Sequence, residues 1–155
     1  MRPLVWALLA LTSNVLPPLL LAADPGARAQ YMGGTVAGLR NKSEGSINTT
    51  DAEGLVFRTK QVSVRIPYDK INTVEYGQRV SRRYAEAVII SPLLLLAKKR
   101  KHFLTVGYTD EQGRQQALVF QVHKSAVRSV LVSLEAKTGR KVEFQDEEVR
   151  KAGKG

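Results

Sequence analysis

His102-Phe-Leu-Thr-Val-Gly-Tyr-Thr109, Asp110-Glu-Gln-Gly113 and Arg114-Gln-Gln-Ala-Leu-Val-Phe-Gln-Val122 form the stretch in which the fold class becomes legible. Leu104, Val106 and Tyr108 alternate along the first arm, and Leu118, Phe120 and Val122 along the second. A period of two puts each set on one face of an extended chain. Asp110 to Gly113 has the turn chemistry that joins two such arms into a hairpin. Downstream the period changes. Val127, Val130, Leu131 and Leu134 recur at helical spacing, with Ser125 expected as N-cap and Gly139 as the stop. From Lys141 the chain reads as extended, and residues 146–155 as a charged, flexible tail.

Upstream, short strands broken by turn residues dominate from Thr35 to Gln78. The expected strands are Thr35 to Leu39, Gly45 to Thr49, Leu55 to Thr59, Gln61 to Ile66 and Ile71 to Gly77. Val62, Val64 and Ile66 alternate with Ser63 and Arg65, and Pro67 ends that strand. The fold class is therefore mainly β: about seven antiparallel strands and one closing C-terminal α-helix, forming a barrel or sandwich plugged by the helix.

The first 29 residues read as a signal peptide that is removed. Met1-Arg2 gives a positive start, Leu4 to Leu11 an apolar run, and Ala27-Arg-Ala29 a small-x-small cleavage site, with a cut after Ala23 as the alternative. Pro17-Pro18 splits the apolar run, and neither half reaches the ~20 residues a membrane span needs. Residues 30–145 then form one domain. The 24 cations lose Arg2 and Arg28 and the 14 acids lose Asp24, which leaves a net charge of about +9 on the remaining 126 residues. That balance attracts polyanions. With no cysteine, the domain is held by its core, and thiol chemistry and a lipoprotein-type anchor are excluded. The expected location is exported, periplasmic or secreted, and peripheral to the membrane.

One segment stands apart. Arg79, Arg82 and Arg83 precede Ala85-Glu-Ala-Val-Ile-Ile-Ser-Pro-Leu-Leu-Leu-Leu-Ala97, and Lys98, Lys99, Arg100 and Lys101 follow it. Seven cations around an apolar run suit an anionic bilayer surface, at about 1 kcal/mol for each Lys or Arg near it. Leu93, Leu94, Leu95 and Leu96 would lie at the interface as a wedge, since the run is too short to cross. The competing readings place the leucine run in the core, or make it a homodimer or protein-partner interface.

Glu44-Gly-Ser-Ile-Asn-Thr-Thr50 leading into Leu55-Val-Phe57, and Val64-Arg-Ile-Pro-Tyr-Asp-Lys-Ile71 running into Val74-Glu-Tyr76, join the hairpin and terminal helix in a pattern that resembles the pleckstrin-homology-like (PH-like) domains, including the GRAM modules. The resemblance covers most of Thr35 to Thr138. It implies two near-orthogonal sheets with one open end capped by the helix, and a binding role rather than catalysis. Phosphoinositide-binding members of that family set several cations around the first hairpin. Here Arg40 and Lys42 are followed by Glu44, and the next strand carries no cation. Many members have a tryptophan in the closing helix, whereas the single tryptophan of this chain is Trp6.

Catalysis finds no support in the residues. His102 and His123 stand in different contexts, and no metal-ligand spacing, Gly-rich phosphate loop or nucleophile elbow is present. No catalytic residue, cofactor or metal ligand is therefore assigned. Nucleic acid is disfavoured by the few aromatic residues and the exported compartment. The expected function is a non-enzymatic binding module that meets an anionic membrane surface through residues 79–102. The alternative is a protein-interaction or homodimerisation module using Leu93–Leu96.

Overall fold

Turn residues and period-two runs resolve into eight strands and one long helix in the computed structural model, which describes residues 26–80, 101–145 and 150–151. In chain order these are β1 (Ala27–Gly34), β2 (Ser43–Asn48), β3 (Gly54–Arg58), β4 (Ser63–Pro67), a 3-10 turn (Tyr68–Lys70), β5 (Ile71–Gly77), β6 (Phe103–Thr109), β7 (Gln115–Val122), α1 (Lys124–Thr138) and β8 (Glu143–Phe144). They form one sheet in the order β4-β3-β2-β1-β7-β6-β5-β8. Every pairing is antiparallel except β5 with β8, so the sheet is mixed. β1 to β4 make one meander, β5 to β7 a second, and the β1–β7 ladder joins them. The ladder is not closed, since β4 and β8 remain its edges.

The sheet nevertheless curls strongly over its inner face. β3 and β7 are separated by two strands, which in a flat sheet would hold them about 14 Å apart. Yet the Phe57 and Phe120 ring centroids lie 4.8 Å apart, and Tyr31 touches both at 6.4 and 6.1 Å. Around this trio pack Ile47, Leu55, Ile66, Val74, Tyr76, Leu104, Val106 and Leu118. α1 presents Val127, Val130, Leu131 and Leu134 to the same core. Gly139 ends the helix in the left-handed region at φ 66°, its N–H donating to the Glu135 carbonyl. At that end Lys137 Nζ donates to the Asp51 carbonyl at 2.7 Å and sits over the Tyr68 ring.

Three details differ from the sequence expectation. The first strand is Ala27–Gly34, not Thr35 to Leu39, so the sheet takes in residues that cleavage after Ala29 would remove. The N-cap position of α1 is His123, with extended backbone and no side-chain cap; Ser125 Oγ instead shares a 2.8 Å hydrogen bond with His123 Nδ1. The extended residues after Lys141 become β8, parallel to β5, with Phe144 edge-on to Tyr76.

Candidate functional site at one end of the sheet

Of the residues singled out in the sequence, Arg79 and Lys101 are described; Arg82, Arg83, Leu93, Leu94, Leu95, Leu96, Lys98, Lys99 and Arg100 lie outside the described residues. Gly77 at the end of β5 pairs with Phe103 at the start of β6. The long connection between them therefore leaves and rejoins the sheet at adjacent strands, about 5 Å apart. Arg79 and Lys101 stand just beyond this pair. Arg79 is exposed, and its backbone is pinned to Gln145 by two hydrogen bonds, N–H to Oε1 at 3.3 Å and Nε2–H to the carbonyl at 2.7 Å.

The sheet brings further cations to the same end. The Val122 N–H donates to the His102 carbonyl at 2.9 Å, and the His123 N–H to the Arg28 carbonyl at 3.2 Å. Lys101, His102, His123, Lys124 and Arg28 thus come together from the start of β6, the end of β7, the start of α1 and the start of β1. The row extends across β2, where Arg28 pairs with Ser46 and Ser46 with Arg58. Arg28, Arg58, His123 and Lys124 are all exposed.

Charge crowding registers at His102. Its pKa is held below the ordinary histidine value, first by burial and then by the nearby Lys124 and His123. The Tyr76 phenol is pushed the other way by burial. The Tyr76 hydroxyl and Nδ1 of His102 share a hydrogen bond, and the imidazole lies nearly parallel to the phenol ring at 5°.

Beside these groups runs an open groove of about 310 Å³, lined by Arg28, Ala29, Gln30, Glu44, Gly45, Gln121 and His123. Gln121 Oε1 is buried there without a hydrogen-bond partner. The groove thus offers a guanidinium to an anion, and carboxylate and amide oxygens to a donor. The arrangement can bind charge. Among the described residues no cluster of three or more His, Asp or Glu side chains could hold a metal ion, and no helix is long and apolar enough to cross a membrane.

Arg28, Arg58, His123 and Lys124 were not singled out in the sequence. Arg28 falls inside the expected signal peptide, and Lys124 reads as an ordinary first-turn residue. A signal did exist for His123: counting outward from the Asp110–Gly113 turn sets His102 and Lys101 beside Val122 and His123. The chain matches no family model and no curated protein.

Proposed function

We propose that this chain is an exported, non-enzymatic binding module that contacts an anionic membrane surface through residues 79–102 and the cations gathered beside them. One observation supports the reading: Arg79 and Lys101, the described residues of the segment, stand at the same end of the sheet as Arg28, Arg58, His123 and Lys124. Cations from four elements then face outward from one end of a protein whose formal net charge is +10. At about 1 kcal/mol each near an anionic leaflet, such a set makes reversible adsorption feasible. A PH-like domain of two near-orthogonal sheets is the architecture proposed for it. Two antiparallel meanders, followed directly by a helix packed inside the curl, support that assignment.

Co-sedimentation of the chain from Asp24 with anionic and with neutral vesicles tests the proposal. Lys99→Glu/Arg100→Glu and Arg28→Glu/Lys124→Glu variants run alongside, each checked for folding by circular dichroism. Binding to anionic vesicles only, weakened about tenfold or more in both variants, is the expected result. A wild type that stays in the supernatant at low salt, or pellets equally with neutral vesicles, overturns it. A dimer in solution that Leu94→Glu/Leu95→Glu abolishes would turn the search to protein partners.

A further inference from the structure

The open groove of about 310 Å³ is built from two polar rows on the outer face of the sheet. Ala29, Tyr31, Phe120 and Val122 point into the main core, so Arg28, Gln30 and Gln121 beside them point outward. Gln30 pairs with Glu44 on one side and with Gln121 on the other, which sets these three in one cross-strand row. Two residues back along β1, roughly 7 Å away, Arg28 opens the second row, and the His123 N–H donates to its carbonyl. One row therefore carries a carboxylate and the other a guanidinium. Yet among the described residues neither the Arg28 guanidinium nor the Glu44 carboxylate has an ion-pair or hydrogen-bond partner. Gln121 Oε1 is a further orphan, buried without a donor, whereas buried acceptors are as a rule paired. Gln30 does not supply that donor, because its side-chain amide donates to the Lys42 carbonyl at 3.2 Å.

We propose that this groove is a binding site for a small zwitterion of the phosphoethanolamine type, a phosphate ester joined to a primary ammonium through two carbons. The phosphate lies against Arg28, whose planar fork suits it, and against His123, whose Nε2 is left over because Nδ1 shares a 2.8 Å hydrogen bond with Ser125 Oγ. The ammonium lies over Glu44 and donates to Gln121 Oε1 once that amide turns into the groove. Three features select this class. A lone anion meets the Glu44 carboxylate and a lone cation the Arg28 guanidinium, so half of the site penalises a ligand of one sign. An α-amino acid carries both charges on a single carbon, too short to reach both rows. A quaternary ammonium has no N–H to give to either oxygen. The volume sits at the lower end of the about 300–1,000 Å³ of small-molecule sites, room for a headgroup but not for acyl chains. The site does not depend on the proposed membrane contact: a free molecule and a lipid headgroup offer it the same chemistry.

Amide NMR of the isotope-labelled protein in lipid-free buffer tests the site, with glycerophosphoethanolamine, glycerophosphocholine, inorganic phosphate and ethanolamine as titrants. The expected result is saturable shifts at Gln30, Gly45, Gln121 and His123, with glycerophosphoethanolamine bound about tenfold or more tighter than each of the other three. Arg28 and Glu44 are exposed, and the amide spectrum reports whether each variant folds. Glu44→Gln is expected to abolish the preference over glycerophosphocholine, and Arg28→Gln to weaken glycerophosphoethanolamine about tenfold. Absence of saturable shifts in the wild type overturns the proposal. So does inorganic phosphate bound as tightly as the zwitterion, which reduces the groove to an anion site, and so does a folded Glu44→Gln that keeps the full preference. Vesicles of one anionic fraction, completed with phosphatidylethanolamine or with phosphatidylcholine, then separate the sources. Tighter adsorption to the former, lost in Glu44→Gln, assigns a lipid headgroup; equal adsorption assigns a free ligand. Adsorption to neither overturns the membrane contact and leaves the lipid-free result standing.

Discussion

The Tyr76–His102 pair ties the basic end to the core through one proton. Tyr76 is fully buried and packed against Phe144, while His102 is half-buried beneath Lys124 and His123. Burial, and then the neighbouring positive charge of Lys124 and His123, favours the neutral ring. Since the folded-state pKa lies below the unfolded value, the native state binds fewer protons than the unfolded chain in that window. The contribution is fully present above pH 6.5 and is lost as pH falls through the lower, folded pKa. Thermal melts from pH 8 down to pH 5 are expected to show a decline beginning near 6.5. His102→Gln should flatten this part of the profile, and an unchanged slope would remove His102 as its source. A second residue-scale constraint sits at Gly45. A methyl there would fall 2.3 Å from the Arg58 carbonyl oxygen and 2.9 Å from the Phe57 ring. Gly45→Ala is expected to cost about 1–3 kcal/mol by urea unfolding, because backbone and an aromatic trio must both shift.

β1 is the element on which the two meanders depend, since it pairs with β2 on one side and β7 on the other. Its first three residues match Ala27 to Ile47, Arg28 to Ser46 and Ala29 to both Gly45 and Val122, and the Ala29 side chain is buried. A chain beginning at Gln30 is therefore expected to be less stable than one beginning at Asp24. At about 1 kcal/mol net per lost ladder bond, the difference is roughly 2–4 kcal/mol, read as a lower urea midpoint; equal midpoints would show that these pairs contribute nothing. Cleavage after Ala23 keeps the strand whole. β1 was hidden in the sequence because Ala27-Arg-Ala29 resembles a processing site and Gly33-Gly34 resembles a turn. Only pairing on both sides makes a strand of such residues. β3 to β7 and α1 were legible because period and turn chemistry agree at each. The extended chain after Lys141 was legible, but its pairing as β8 was not, being two residues held by β5 alone. The cationic end was half legible. Arg79 and Lys101 stand out in a charged run, whereas Arg28, Arg58 and Lys124 gain their meaning from strand order.

At the scale of the whole molecule, a formal net charge of +10 would draw any anionic vesicle weakly, so position must be separated from quantity. Lys70 and Arg140 are exposed, Lys70 preceding β5 at the end opposite Arg79 and Arg140 following the C-terminus of α1. Lys70→Glu/Arg140→Glu changes the net charge by the same amount as Arg28→Glu/Lys124→Glu. If one end of the sheet makes the contact, only the second pair should weaken vesicle binding about tenfold or more, at about 1 kcal/mol per removed cation plus repulsion from each new carboxylate. Equal losses would reduce the binding to net charge. Salt then reports on the leucines. The Debye length contracts from about 10 Å at 0.1 M to about 3 Å at 1 M, so a contact made by exposed cations alone should be gone by about 0.5 M. A wedge of leucines would persist, because apolar burial at roughly 1.5–3 kcal/mol per side chain is not screened. If the exposed cations alone make the contact, bound protein at high salt is expected to fall to the level on neutral vesicles. Retention above that level would place the leucines in the bilayer.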